Sequence, residues 1–269
     1  MKSENDTPRD AFDLLSWRTN TIIVVPLLAV ALVAWIGTID QARSMRDMAM
    51  GLGQLGYRGQ GQMDVVSFLA MWMTMMAAMM LPTIVPMVLA HHAVALRRYN
   101  DTFSTPAFVA GYLVVWCAFG IAAWLVYWVS VHWSDGAAQS RWLLTLAGEL
   151  LVAAGIYQFT RWKQVCADKC RSPLAFVFQH DSHRGALNAL RAGIVHGAYC
   201  LGCCWAAMAV LFVVGLNSLV WMTILFVFFF VEKNWKYGRE FAKVAGLGLM
   251  ALGVAVLASP PAFLAAVSN

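Results

Sequence analysis

Long apolar runs are the feature of this sequence that most restricts its fold. Seven runs approach or exceed the roughly 20 residues that an α-helix needs to cross about 30 Å of hydrocarbon. A segment inside a bilayer must satisfy its backbone hydrogen bonds internally, which a helix does. The runs lie at 21–39, 66–92, 107–131, 141–160, 192–214, 217–232 and 242–259. The sequence therefore predicts an all-α, polytopic transmembrane helix bundle with about seven spans.

Little of the chain is left for a soluble domain, because 61% of its residues are hydrophobic and only 12% are charged. We predict a single transmembrane helical domain at 21–259, between a cytoplasmic tail at 1–20 and a short C-terminal tail at 260–269. The first 20 residues have no basic segment leading into a short apolar core with a small-residue cleavage site. The first span is therefore predicted to be an uncleaved anchor.

The distribution of basic residues predicts the orientation. With the N-terminus in the cytoplasm, 15 of the 19 Lys and Arg residues fall on the cytoplasmic side, as the positive-inside rule requires. These residues lie in short connecting segments, so the pI near 9 does not indicate nucleic acid as a partner. The sequence predicts a multi-pass protein of the bacterial cytoplasmic (inner) membrane, with the lipid bilayer around it and an oligomeric state that the sequence leaves open.

The fifth run carries a stripe of side chains suited to metal or redox chemistry. His196, Cys200, Cys204 and Met208 follow one another at intervals of four, and Cys203 lies beside the stripe. Residues at this spacing share one face of a helix. A single cysteine is ordinarily a small buried packing residue. Three thiols and an imidazole together predict a functional site.

Further candidate ligands lie near the cytoplasmic ends of other runs. His91 and His92 end the second run, and Cys166 and Cys170 follow the fourth, one helical turn apart if that helix continues. Basic neighbours of these two cysteines are predicted to favour the thiolate form. Glu232 ends the sixth run. The predicted orientation brings all these groups to one side of the membrane, so we expect one site.

Methionines in the second run are a weaker set of candidates. Met75, Met79 and Met80 precede Pro82 in a methionine-rich segment. Thioethers are soft ligands that suit Cu(I). Methionine is also a flexible filler of apolar cores, so both interpretations stay open.

Two carboxylates also allow alternative interpretations. Glu149 lies halfway along the fourth run, where a carboxylate belongs either to a proton or ion pathway or to a neutral hydrogen bond with a neighbouring helix. Glu232 is either a ligand or proton acceptor that faces the thiols, or an interfacial charge paired with Lys233.

Several of these motifs carry a resemblance to a known family over most of the chain, from about Val65 to Gly253. The chain resembles the bacterial family called domain of unknown function 2182, which is described as predicted metal-binding integral membrane proteins. The resemblance implies metal handling in a membrane but supplies no reaction. The motifs are the run from Met73 to Pro82, Tyr157-Gln158 through Cys166, Cys170-Arg171-Ser172-Pro173, His196-Gly197, Cys200-Leu201-Gly202-Cys203-Cys204-Trp205 and Glu232-Lys233.

The first functional hypothesis is therefore a membrane protein that binds a soft transition metal. Thiolate, imidazole and thioether favour copper, whereas thiolate and imidazole with Glu232 also suit zinc. Such a protein would transport the ion, transfer it, or insert it into a partner such as a membrane metalloenzyme or a metallochaperone.

Two other hypotheses remain open at this stage. Cys200 and Cys203 have the spacing of a thiol–disulfide oxidoreductase, although cytoplasmic thiols are kept reduced. The chain can also be a non-catalytic subunit of a membrane complex. The sequence contains no nucleotide-binding glycine loop, nucleophile elbow or zinc-protease motif, so we expect no energy coupling by hydrolysis within this chain. Whether the chain is an enzyme, and with which catalytic residues, stays open at this stage.

Overall fold

The computed structural model describes residues 17–44, 64–99, 101, 103–132, 139–180, 185–214 and 218–258. Within these ranges the regular structure is entirely helical, so the predicted all-α fold is confirmed. Most of the predicted N-terminal tail and the whole C-terminal tail lie outside them. The helices are α1 Trp17–Ser44, α2 Val65–Met80, a 3-10 turn Pro82–Ile84, α3 Val85–Tyr99, α4 Ser104–His132, α5 Gln139–Tyr157, α6 Arg161–Arg171, α7 Pro173–His180, α8 Ala186–Val214, α9 Leu219–Asn234 and α10 Gly238–Ala258.

Fewer helices than predicted have the length of a membrane span. Four in the described ranges are long and apolar enough to cross a membrane, or five if a bent pair counts as one span. Helix α9 has 16 residues, and the part of α5 whose side chains are described, Thr145–Tyr157, is also shorter than a span. The count of seven spans and the cytoplasmic N-terminus stay predictions. The four helices are Thr21–Arg43, Ser104–Val129, Ala186–Val213 and Gly238–Ala258.

The bent pair comes from a proline in the second predicted span. Helix α2 ends at Met80, Pro82 starts the 3-10 turn, and the axes on either side differ by 41°. Proline has no N–H to continue the helical ladder, which accounts for the break. The Thr83 hydroxyl donates to the Met80 carbonyl at 2.8 Å. The bend therefore leaves Met80 and Thr83 side by side and buried.

A second break separates the fourth predicted span from the cysteines that follow it. Helix α5 ends at Tyr157, and α6 starts a new helix capped by Thr160, whose hydroxyl oxygen accepts from the Lys163 N–H at 3.3 Å. The fourth helix therefore does not continue past residue 160. Cys166 and Cys170 do lie one turn apart, but on a separate amphipathic helix.

Helix α8 is the central element, packed against α4, α5, α6 and α9. Its glycines permit a close approach to α4, because a Cβ at Gly193 would collide with the Phe108 carbonyl oxygen. Gly193 and Gly197 thus allow tight packing against α4, where Gly197 faces Val115. Aromatic residues of α4 complete the core here, with Phe108, Tyr112 and Trp116 fully buried.

Gly193→Ala should destabilise the protein by about 1–3 kcal/mol, since backbone atoms of α4 cannot yield to the added methyl group as a side chain would. Gly248→Ala is the matched control, because a Cβ there meets nothing within 4 Å. Alanine in a helix interior is favoured over glycine by roughly 0.5–1 kcal/mol, so the control should be neutral or stabilising. Thermal unfolding midpoints in detergent compare the two variants. Equal midpoints would contradict the close α4–α8 contact.

Candidate metal site

The stripe predicted on the fifth run is the buried face of α8. His196, Cys200, Cys204 and Met208 are each at most 1% exposed, and Cys203 beside them is 2% exposed. Their spacing of four residues places them on the side of the helix that the bundle covers. The sequence therefore located these donor groups correctly on one buried face.

Four thiols from two helices come together beside this face. Cys203 Sγ lies 3.3 Å from Cys204 Sγ and donates to the Cys200 carbonyl at 3.1 Å. Cys170 reaches them from α6, within hydrogen-bonding contact of Cys200 and Cys203. We call Cys170, Cys200, Cys203 and Cys204 the thiol cluster.

The spacing of the thiol cluster suits a shared ion. Two sulfurs at about 2.3 Å from one metal can lie no more than about 4.6 Å apart, and the observed Cys203–Cys204 separation is within that limit. Among the described residues, no three His, Cys, Asp or Glu side chains are already arranged as a ligand set. Binding an ion therefore involves rotation of side chains that are already neighbours.

A lysine lies against the central thiol of the cluster. Lys233 Nζ is 3.1 Å from Cys200 Sγ and 3.3 Å from Thr83 Oγ1, and it is 3.8 Å from Met80 Sδ. The Tyr112 hydroxyl lies 3.2 Å from the same Cys200 sulfur. A buried ammonium is costly unless it has an anionic partner, and the Cys200 thiolate is such a partner. The arrangement favours the form of cysteine that binds metals.

The two cysteines of α6 differ in their relation to the cluster. Cys166 packs against the backbone of α8, since a Cβ at Gly202 would lie 2.7 Å from its Sγ. Burial raises the pKa of the Cys166 thiol. The pKa of the Cys170 thiol is raised well above its ordinary value, chiefly because of its hydrogen bond to Cys200. Both therefore favour the thiol, whereas their basic neighbours were predicted to favour the thiolate.

The basic side chains near Cys166 and Cys170 explain this difference, because other groups hold them. Lys169 donates to Gln179 Oε1 at 2.7 Å. Arg171 donates to the carbonyl oxygens of Trp235 and Lys236 at 2.9 and 3.0 Å. Lys163, which was also expected to flank the thiols, turns towards α9.

Lys163 forms a buried ion pair with Glu232. Its ammonium donates to Glu232 Oε1 and to Gln158 Oε1, and all three residues are at most 3% exposed. The ammonium also lies 5.5 Å from the centre of the Phe228 ring. The structure thus places the predicted ligand Glu232 in a contact that fastens α6 to α9, with Lys163 as its partner instead of Lys233.

His196 is the predicted ligand whose surroundings most clearly point to a bound group. It is 1% exposed, and neither ring nitrogen has a hydrogen-bond partner among the described residues. An unsatisfied buried polar group costs roughly 1–3 kcal/mol. The imidazole lines a cavity of about 230 Å³ together with Cys170 and Lys233. An ion or ligand in this cavity would satisfy it.

The histidines of α3 have different surroundings. His91 stacks on the Phe108 ring with centroids 4.6 Å apart, and Phe108 stacks on His196 at 5.8 Å. His92 shares a 2.8 Å hydrogen bond between its Nδ1 and Thr105 Oγ1. The structure therefore brings His91 within one aromatic ring of His196, while His92 is bound to the start of α4.

The remaining predicted residues divide by position. Met80 contacts Lys233, whereas Met75 and Met79 are buried in the same apolar core as the α8 cysteines. Glu149 is exposed on α5, so the structure does not bring it to the thiol cluster. The interpretation of Glu149 as part of an ion pathway stays a prediction.

Sequence reasoning missed Lys233 as a member of the site. A signal was present, because the buried residues of α9 include Met222, Leu225, Phe229 and Lys233, at intervals of three and four. Lys233 therefore continues the apolar stripe of its helix, which is an unusual place for a lysine. Tyr112 is a similar case on α4, because it lies at an interval of four from both Phe108 and Trp116 and so places a hydroxyl on the buried face of that helix.

Residues 69–256 match the model of a protein family, PpoB2, whose description is copper chaperone. The match spans more than half of the chain and includes every member of the thiol cluster as well as Lys233. No curated protein and no solved structure matches the chain. The match identifies a copper-related family, and the more specific resemblance to domain of unknown function 2182 stays a prediction.

Proposed function

The chain belongs to the PpoB2 family of copper chaperones, and on this basis we propose that it is an integral membrane protein that binds Cu(I) at the thiol cluster and passes it to a partner metalloprotein. The observation that carries the proposal is the meeting of three other thiols around Cys200, which also contacts the ammonium of Lys233. Cu(I) is the soft monovalent ion for which thiolates are the preferred ligands. The copper is cargo in this proposal.

A membrane location is supported by the outer surfaces of the long helices. Helix α1 exposes apolar side chains along its length, such as Ile22, Leu32 and Val33, which are 62–73% exposed. Apolar surface of this extent is typical of contact with lipid or with another apolar partner. The distribution of basic residues favours a cytoplasmic N-terminus, which would place the thiol cluster towards the cytoplasmic side.

The surroundings of the thiol cluster support transfer of the ion. The cavity of about 230 Å³ reaches Cys170, His196 and Lys233 in one space. A water molecule takes up about 30 Å³, so the cavity has room for a donor group of an incoming or departing ligand. His196 would be the first protein donor for an ion in this cavity, and Cys200 follows it by one turn on α8. Stepwise exchange between neighbouring donors would move the ion without releasing it.

Elemental analysis of the detergent-purified protein tests the proposal. After loading with Cu(I) and desalting, the wild type should retain near-stoichiometric copper. A Cys200→Ser, Cys203→Ser, Cys204→Ser variant should lose it. Cys117→Ser is the matched control, because Cys117 is a half-buried thiol of α4 outside the cluster, and it should retain copper.

Other outcomes would contradict the proposal. Zinc retained in place of copper would reassign the cargo. A wild type without metal, in which thiol counting shows a disulfide between Cys200 and Cys203, would support a thiol–disulfide oxidoreductase. Equal copper in the wild type and in the triple variant would exclude the thiol cluster as the binding site.

A further inference from the structure

We propose that Lys233 determines the charge of the cargo, so that the thiol cluster holds a monovalent soft cation in preference to a divalent one. The inference rests on the proposed function and adds a specificity determinant to it. Lys233 is a positioning residue here, because it acts through the thiolates and does not bind the ion itself.

The contacts of Lys233 show that its charge belongs to the site. Its ammonium touches the Cys200 sulfur, the Thr83 hydroxyl and the Met80 thioether, and lies 5.9 Å from the centre of the Phe229 ring. Of these groups, Cys200 alone can become an anion. The side chain is 8% exposed, so water screens the charge weakly. The ammonium and the Cys200 thiolate therefore compensate one another.

Neighbouring charged side chains do not supply a counter-ion for Lys233. Glu232 precedes Lys233 in the sequence, but its carboxylate accepts from the Lys163 ammonium. Arg171, which lines the same cavity, donates to two backbone carbonyl oxygens at 2.9 and 3.0 Å and is solvent-exposed there. The Lys163–Glu232 pair is neutral as a unit, so it leaves the charge of Lys233 for the thiol cluster.

The charge of the loaded site follows from a balanced exchange. Before loading, one thiolate at Cys200 and one ammonium at Lys233 sum to zero. A carrier brings Cu(I) as a bis-thiolate anion. Cys200 displaces the first carrier thiolate, and a second cysteine of the cluster displaces the other, handing its proton to the departing group. One carrier sulfur group leaves as a thiolate, and the other leaves as a thiol. The site then contains two thiolates, Cu(I) and the ammonium, and remains neutral.

A divalent ion disturbs this balance. Two thiolates with Zn(II) or Cd(II) are neutral by themselves, so the ammonium of Lys233 would remain as an uncompensated buried charge. Buried unpaired charges are strongly unfavourable in a medium of low dielectric constant. A third thiolate would restore neutrality, but at the expense of another deprotonated buried thiol. The geometry therefore disfavours divalent soft ions that thiolates otherwise bind well.

Lys233→Leu tests the inference, because leucine removes the charge and, unlike methionine, adds no thioether that would itself bind Cu(I). Affinities for Cu(I), Ag(I), Zn(II) and Cd(II) are measured on the full-length protein in detergent by competition with chromophoric chelators. We expect the ratio of monovalent to divalent affinity to fall at least tenfold. Lys233→Arg keeps the charge and should stay near the wild-type ratio. Lys236→Leu is the control, because Lys236 lies over the Tyr237 ring outside the cluster.

A second variant covers the case in which Lys233→Leu does not fold. The Thr83 hydroxyl oxygen lies 3.3 Å from the Lys233 ammonium. Thr83→Asp therefore places a carboxylate beside the ammonium and neutralises its charge without removing Lys233. Its uncharged counterpart is Thr83→Asn. The aspartate variant should show the same fall in the ratio, and the asparagine variant should not.

The outcomes separate the two proposals. If the wild type binds Cu(I) through the thiols but Lys233→Leu and Thr83→Asp keep the wild-type ratio, the assignment to Lys233 is overturned and the proposed function stands. If Lys233→Arg loses selectivity to the same extent as Lys233→Leu, the side chain acts through its shape and the inference also fails. If the wild type binds no copper, the proposed function itself fails.

Discussion

Cys200→Ser is expected to lower the affinity for Cu(I) by at least about 100-fold, more than any other single cysteine change. Cys200 is where the contacts of the cluster meet, because Tyr112, Lys233 and the other cluster thiols all approach its sulfur. Loss of a group that only supports a ligand typically costs roughly 10–100-fold in metal affinity. Loss of the central ligand should exceed that range. Competition with a chromophoric Cu(I) chelator measures the effect.

Two other cysteines provide the controls for this measurement. Cys166→Ser removes a thiol from the same helix as Cys170, but one that packs against Gly202. Cys117→Ser removes one from α4. The Cu(I) affinity of both variants should stay within about tenfold of the wild-type value. Removal of a group that supports a ligand can cost up to about 100-fold. If Cys166→Ser weakened binding as much as Cys200→Ser, the ligand set would have to be centred nearer to α6.

Lys163→Met is expected to destabilise the protein by about 3–5 kcal/mol, because it leaves the buried carboxylate of Glu232 without its counter-ion. The two side chains are 2% and 4% exposed, so solvent does little to replace the lost partner. A lower thermal unfolding midpoint in detergent would report the loss. The change should also loosen the attachment of α6 to α9, since these helices are the ones that the pair joins.

A double variant and an exposed pair test that explanation. Lys163→Met with Glu232→Met replaces both charges by apolar groups of similar size, and such replacements are often neutral or stabilising, so most of the loss should be regained. Lys243→Met breaks the exposed pair with Glu240, whose side chains are 37% and 64% exposed, and should cost less than about 1 kcal/mol. A similar loss in Lys163→Met and Lys243→Met would contradict the buried-pair account.

The common helix face of the α8 thiols could be predicted from the sequence, because helical periodicity depends only on residues close in the chain. Spacing of four residues along α8 suffices to place His196, Cys200 and Cys204 on one face, and the structure buries that face. Cys170 was reached by a weaker argument, in which topology gathered the candidates on one side of the membrane. The structure brings Cys170 to the cluster but leaves Cys166 against the backbone of α8.

The partners of the thiols depend on contacts between distant segments, which periodicity does not reveal. Lys233 and Cys200 are separated by 33 residues, and Lys163 and Glu232 by 69. The predicted alternatives for Glu232 were a role facing the thiols or a pair with its neighbour. A choice between Lys163 and Lys233 as its partner requires the packing of α6 on α9.

Helices break within the predicted apolar runs where local chemistry interrupts them. Pro82 and the capping residue Thr160 are both visible in the sequence, but an apolar run passes over them when only hydropathy is counted. At Pro82 the break produces a bend of 41° within one predicted span. At Thr160 it begins a new helix whose sequence is amphipathic.

The wide separation of the cluster's neighbours along the chain has a consequence for biosynthesis. Met80 and Lys233, which touch beside Cys200, are 153 residues apart. A ribosome completes α8 and its three cysteines before it reaches Lys233, so the nascent chain exposes thiols that still lack their ammonium neighbour. A neutral thiol is a poor metal ligand. If the proposed function holds, the order of synthesis delays metal capture until α9 has been made and has docked against α8.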